Sequence, residues 1–260
     1  MVLYEVNMPI PACGSPDVIR WEFMPETITI KYILKATDID FSIGLVFDEK
    51  DFSLLNHHAS EKSWTKLSFH KCSHCPLNQE DVPFCPLAST LDSIISKTHH
   101  FLSYDEVHAQ VEYKSRIVSA DITVQKALSS LLGLIIPASG CPHTVFFRPM
   151  SRYHLPFADA EETIYRATTM FLLAQYFIHK KSGCIPTNFS RLETLYNNIH
   201  IVNTQICKRL REFCENDSPM NAITILDMLT VSMHSALKHD LDKFASYFSA
   251  FSEGIVPPST

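Results

Sequence analysis

His108-Ala-Gln-Val-Glu-Tyr-Lys-Ser-Arg-Ile-Val118 and Val124-Gln-Lys-Ala-Leu-Ser-Ser-Leu-Leu-Gly-Leu-Ile135 stand almost end to end, and the hydrophobic period changes between them. The first stretch alternates apolar and polar residues, which places side chains on opposite faces of a strand. In the second, Val124, Ala127, Leu128, Leu131, Leu132 and Ile135 recur at helical spacing and share one face. Pro137 and Gly140 end that helix. Strands precede this change of period and helices follow it, so the reading is an α+β protein.

Working toward the amino terminus, Ile19-Arg-Trp-Glu-Phe23 and Thr27-Ile-Thr-Ile-Lys-Tyr-Ile-Leu34 carry the alternation and β-branching of strands, with Pro25-Glu26 as a turn. Ile43-Gly-Leu-Val-Phe47 and the segment from Trp64 to Phe69 extend the sheet, and Asp48-Glu-Lys-Asp51 marks an exposed turn. Pro86 suits the first position of a helix through Leu91, Ile94 and Ile95, because the N–H it lacks has no helical partner there. The expectation for residues 1–118 is a small mixed β-sheet with one helix.

Toward the carboxyl terminus, Asp159 and Glu162 have the spacing of a capping box before a helix through Ile164, Ala167, Phe171 and Tyr176. Ser190 and Glu193 repeat that spacing ahead of Leu195, Ile199, Val202, Ile206 and Leu210. Ser218-Pro219 opens a further helix carrying Ile223, Leu226, Leu229 and Leu237, with a break before Phe244. Residues 119–260 therefore read as a bundle of about four helices packed against the first region.

Three cysteines crowd one stretch, Cys72-Ser-His-Cys75 and Cys85, and Cys141-Pro-His143 lies downstream. Thiolates two residues apart grip one metal from a tight turn, and Cys85 with Cys141 or His143 completes four ligands. A structural Zn2+ is the reading, and an iron–sulfur cluster is the alternative because cysteine followed by proline also occurs beside such clusters. Buried thiols without any metal account for the same residues by packing alone. Cys207 and Cys214, one heptad apart, read as core residues, and Cys13 and Cys184 as loop residues. Eight cysteines with no visible secretory signal suit a reducing, cytoplasmic setting better than a disulfide framework.

The loop after Cys141 holds Arg148, Arg152 and His154. One reading is an anion- or partner-contacting surface; the other is an arginine clamp on carboxylates such as Glu161 and Glu162. Cys141 as a nucleophile has a histidine nearby but no orienting third residue. Six dispersed glycines form no phosphate loop, and the thirteen histidines include no His-Glu-x-x-His pair. Lys208-Arg209-Leu-Arg211 reads as a solvated helix face. The net charge of −6 argues against general nucleic-acid binding, and no apolar stretch is long enough to span a bilayer. The function expected is an interaction or regulatory module with a protein partner and a small anionic ligand, or else an iron–sulfur redox sensor or electron-transfer protein.

Overall fold

A computed structural model describes residues 26–57, 60–98, 100–182, 188–214 and 217–252. The expected strand at Ile19–Phe23 and the cysteines Cys13 and Cys184 lie outside the described residues. Four strands, β1 (Thr27–Lys35), β2 (Asp40–Asp48), β3 (Glu106–Tyr113) and β4 (Arg116–Thr123), form one sheet in the order β2-β1-β3-β4. Every pairing is antiparallel, where a mixed sheet was expected.

Central strand β1 shows why the sheet forms. Its β-branched residues suit a pleated surface, and Ile28, Ile30, Tyr32 and Leu34 alternate into the core while Thr27, Thr29 and Lys31 face out. Tyr32 stands opposite Ile43 of β2 and Val111 of β3, so one apolar row crosses the sheet. The single strand expected over residues 108–118 is instead the β3–β4 hairpin, reversing at Lys114 and Ser115. Lys114 takes a left-handed φ of 53° without glycine or asparagine, the usual marks of such a turn. The segment Trp64–Phe69 does not extend the sheet. It begins in a 3₁₀ turn at Ser63–Thr65 and makes one isolated bridge, Lys66 to Phe84.

The helices are α1 (Pro86–Thr98), α2 (Val124–Ile135), the short α3 (Arg148–Arg152), α4 (Ala160–Ser182), α5 (Ser190–Phe213) and α6 (Ser218–Ser235). At the start of α4 the capping box is complete: Glu162 N donates to Asp159 Oδ1 at 2.8 Å and Asp159 N to Glu162 Oε2 at 2.9 Å. The matching box expected at α5 does not form, because Ser190 Oγ donates to Asn188 Oδ1 instead. Past α6 the helix loosens through a π turn at Ala236–Asp240 into a 3₁₀ segment, Leu241–Phe248.

Helix α2 is buried on most sides, with Val124, Ala127, Leu128, Leu131, Leu134 and Ile135 all nearly inaccessible. It is the centre of a core that joins the inner face of the sheet and α1 to Val202, Ile206 and Leu210 of α5 and to Ala222 and Ile223 of α6. The boundary expected between residues 118 and 119 falls within β4. A second cluster gathers Phe147, just before α3, with Ile164, Phe171, Tyr196 and Met233 of α4, α5 and α6. Among the described residues no helix is long and apolar enough to cross a membrane.

A cysteine-lined cavity beside a buried arginine

The segment between β2 and α1 is the least regular part of the structure, and it is tied down at both ends. Trp64, 1% exposed, donates from Nε1 to the carboxylate of Asp92 on α1 at 3.0 Å and stacks on Phe213 of α5. Leu67 N donates to Pro83 O and Cys85 N to Thr65 O, so the two arms of the segment run side by side. Between them, Cys75 N donates to Cys72 O at 3.1 Å, which closes the Cys72-Ser-His-Cys75 turn. Cys85 precedes Pro86 at the start of α1, and its carbonyl accepts the bond from Ser89 N.

Cys141 reaches the same place from the other side. Gly140 adopts a φ of 85°, a left-handed conformation that costs an L-residue energy, and a β-carbon there would meet Pro86. Cys72, Cys75, Cys85, Cys141 and His143 thereby line one cavity of about 20 Å³, together with Val202, Ile206 and Arg209 of α5. All four cysteines carry free thiols. They do not form a ligand shell as they stand: among the described residues, no group of three or more His, Cys, Asp or Glu side chains is placed to hold a metal ion.

Cys72 and Cys141 show what partial removal from water does to a thiol. Burial pushes Cys72 up to about 12, and the neighbouring thiols Cys85, Cys141 and Cys75 add to the rise while Arg209 opposes it. Cys141 is raised mainly by burial too, against backbone hydrogen bonds that favour its thiolate. His143 donates from Nε2 to His74 O at 2.9 Å and stacks on the His74 ring at 3.8 Å. His74 bonds Asn198 O of α5 through Nε2, while its buried Nδ1 has no hydrogen-bond partner among the described residues.

Lys208 and Arg211 are exposed as the reading of a solvated face expects, but Arg209 between them departs from it. Arg209 is 2% exposed, and Nη1 donates to Trp64 O at 2.7 Å and Lys66 O at 2.9 Å, with a longer contact from Nη2 to Leu67 O. Among the described residues it has no carboxylate within ion-pair distance. The groups with most influence on its charge, after burial, are the thiols Cys85, Cys72 and Cys75, in that order. No sequence pattern marks this role, because Arg209 sits between Lys208 and Arg211 in an ordinary basic run.

The stretch Arg148–His154, expected as a loop, is α3 and the two residues after it, and its side chains bond the protein's own groups. Arg148 donates to Pro137 O and to Asp51, backbone and carboxylate, and Arg152 donates to the hydroxyl of Tyr113 with Glu49 at 3.9 Å. The clamp thus closes on the turn after β2 rather than on Glu161 or Glu162. His154 bonds the Tyr32 hydroxyl through Nε2, and burial, helped by Arg166, lowers its pKa to about 3. Cys207 and Cys214 pack against the main core, as their spacing suggests.

On the outer face of α4, Leu172, Leu173, Tyr176 and Phe177 are each more than half exposed, at 54–58%. Their i, i+1, i+4, i+5 spacing makes them one stripe. No curated protein and no solved structure matches the chain. A family model matches residues 28–249, a span that takes in the sheet, the cysteine-lined cavity and α1 to α6, and the chain belongs to that family, DUF6901, described as a domain of unknown function.

Proposed function

We propose that this protein is an interaction module whose irregular segment before α1 is held to the helices by one structural zinc ion, with Cys72, Cys75, Cys85 and Cys141 as its ligands. The observation that carries the reading is the buried guanidinium of Arg209, which faces thiols and has no carboxylate partner among the described residues. A buried cation needs a compensating charge, and a four-thiolate shell around a divalent cation supplies a negative excess. A cavity of about 20 Å³ suits one ion, since a single water needs about 10–15 Å³, and this favours zinc over a multi-iron cluster. Bound zinc would supply no chemistry beyond a cross-link, and its binding would release the protons of the four thiols. The interaction part rests on the stripe of α4, since contiguous exposed apolar surface marks contact surfaces.

Elemental analysis of protein purified without added metal tests the centre. About one zinc per chain is expected, lost together with thermal stability in Cys72→Ser and Cys85→Ser and retained in Cys214→Ser. Iron with inorganic sulfide would replace zinc by a cluster. Unchanged melting in both ligand variants, with no bound metal in the parent protein, would leave a packed thiol cluster and end the metal reading.

A further inference from the structure

A second and much larger cavity, about 460 Å³, opens between α2, α4, α5 and α6 and is floored by α3 and the chain from His154 to Ala160. Its size is that of a small-molecule site, and its walls are mostly apolar, with Phe147, Met150, Ile199, Leu226 and Leu229 among them. Two polar side chains of the lining stand out because each keeps a donor that no described residue takes up. Tyr196 is 6% exposed, and its hydroxyl has no hydrogen-bond partner among the described residues. Arg166 uses only Nη2, donating to Met150 O at 2.6 Å and Tyr153 O at 3.0 Å, and has no ion pair within 4 Å among the described residues.

Glu162 acts on the charge of Arg166 without forming an ion pair within 4 Å. Glu162 and Asp159 accept each other's backbone N–H groups in the capping box of α4. Lys126 lies on the same lining as Arg166, so the basic groups there outnumber the single acid, Asp159. Tyr196 and Arg166 are close enough to feel each other electrostatically. A guanidinium and a phenol in the lining of an apolar chamber are the donors that a carboxylate takes up, in charge-assisted bonds.

We propose that this cavity binds a small amphiphilic monocarboxylate, its carboxylate held by Arg166 and Tyr196 and its apolar body lying along Ile199, Leu226 and Leu229. A monoanion matches the one unpaired arginine at the head of the site. A phosphate dianion would carry excess charge into apolar walls, which desolvation penalises. The site shares no residue with the cysteine-lined cavity, so it stands or falls apart from the zinc.

Isothermal titration calorimetry of the full chain with decanoate tests the proposal, with decan-1-ol as the uncharged probe of equal length. One decanoate per chain is expected, with decanol weaker by about tenfold or more, the discrimination a charge-assisted head group supplies. Tyr196→Phe should weaken decanoate by roughly three- to tenfold and leave decanol unchanged, because it removes a hydroxyl that no described residue bonds. Leu229→Trp, which fills the chamber from α6, should abolish binding of both probes. Equal affinity for decanoate and decanol would overturn the carboxylate site. So would absence of binding to the parent protein, or undiminished binding to folded Leu229→Trp.

Discussion

Replacing Arg209 by leucine removes the hydrogen bonds that tie α5 to the first arm of the cysteine-bearing segment, at Trp64, Lys66 and Leu67. The two short bonds, to Trp64 O at 2.7 Å and Lys66 O at 2.9 Å, come from a charged donor and are each worth about 1.5–3 kcal/mol. The longer contact to Leu67 O, at 3.4 Å, adds little. Truncation also strands the accepting carbonyls in a place where water replaces the guanidinium poorly, since Trp64 is 1% exposed and Leu67 likewise. Against this, the folded state no longer holds a desolvated charge, which returns a part of the loss. The balance is a destabilisation of about 4 kcal/mol, a fall in melting temperature of about 8–16 °C for a chain of this size. Urea denaturation followed by tryptophan fluorescence reads it directly, because Trp64 lies under the arginine. Arg209→Lys should lose somewhat less, keeping the charge but not the fork that reaches two carbonyls. Under the zinc reading, Arg209→Leu also weakens metal retention by removing the nearest compensating charge. A loss under about 1 kcal/mol would refute the role given to Arg209.

His154 is neutral in the fold, with a pKa near 3 against 6.5 when exposed, so unfolding takes up a proton at acid pH. Stability from this group is full above pH 6.5 and falls as pH drops toward 3. Between pH 7 and 5 the expected loss is about 2 kcal/mol, and His154→Gln should flatten that part of the pH profile. A parallel slope in the variant would assign the acid sensitivity elsewhere, with His74, also lowered by burial, the next group to replace. Gly140→Ala imposes a β-carbon on a left-handed φ of 85° and should cost about 1–2 kcal/mol in thermal unfolding; an unchanged melting temperature would show that the turn before Cys141 relaxes freely.

What lay open in the chain was local. The alternation of Thr27–Leu34, the helical face of Val124–Ile135, Pro86 at the head of α1 and the Asp159–Glu162 box each involve residues at most a few positions apart, and each took the form its spacing dictates. Even locally, the reading failed where the signal was missing: Tyr113-Lys-Ser-Arg116 turns without glycine, so a hairpin passed for one strand. The cysteines could be nominated by type, but their arrival around one cavity depended on how a segment near residue 75 meets a turn near residue 140 and a helix near residue 209. Burial of Arg209, the capture of Arg148 and Arg152 by the turn after β2, and the chamber beside Tyr196 all come from such distant encounters. Periodicity tells a side chain which face it is on; only the tertiary packing decides what, if anything, covers that face.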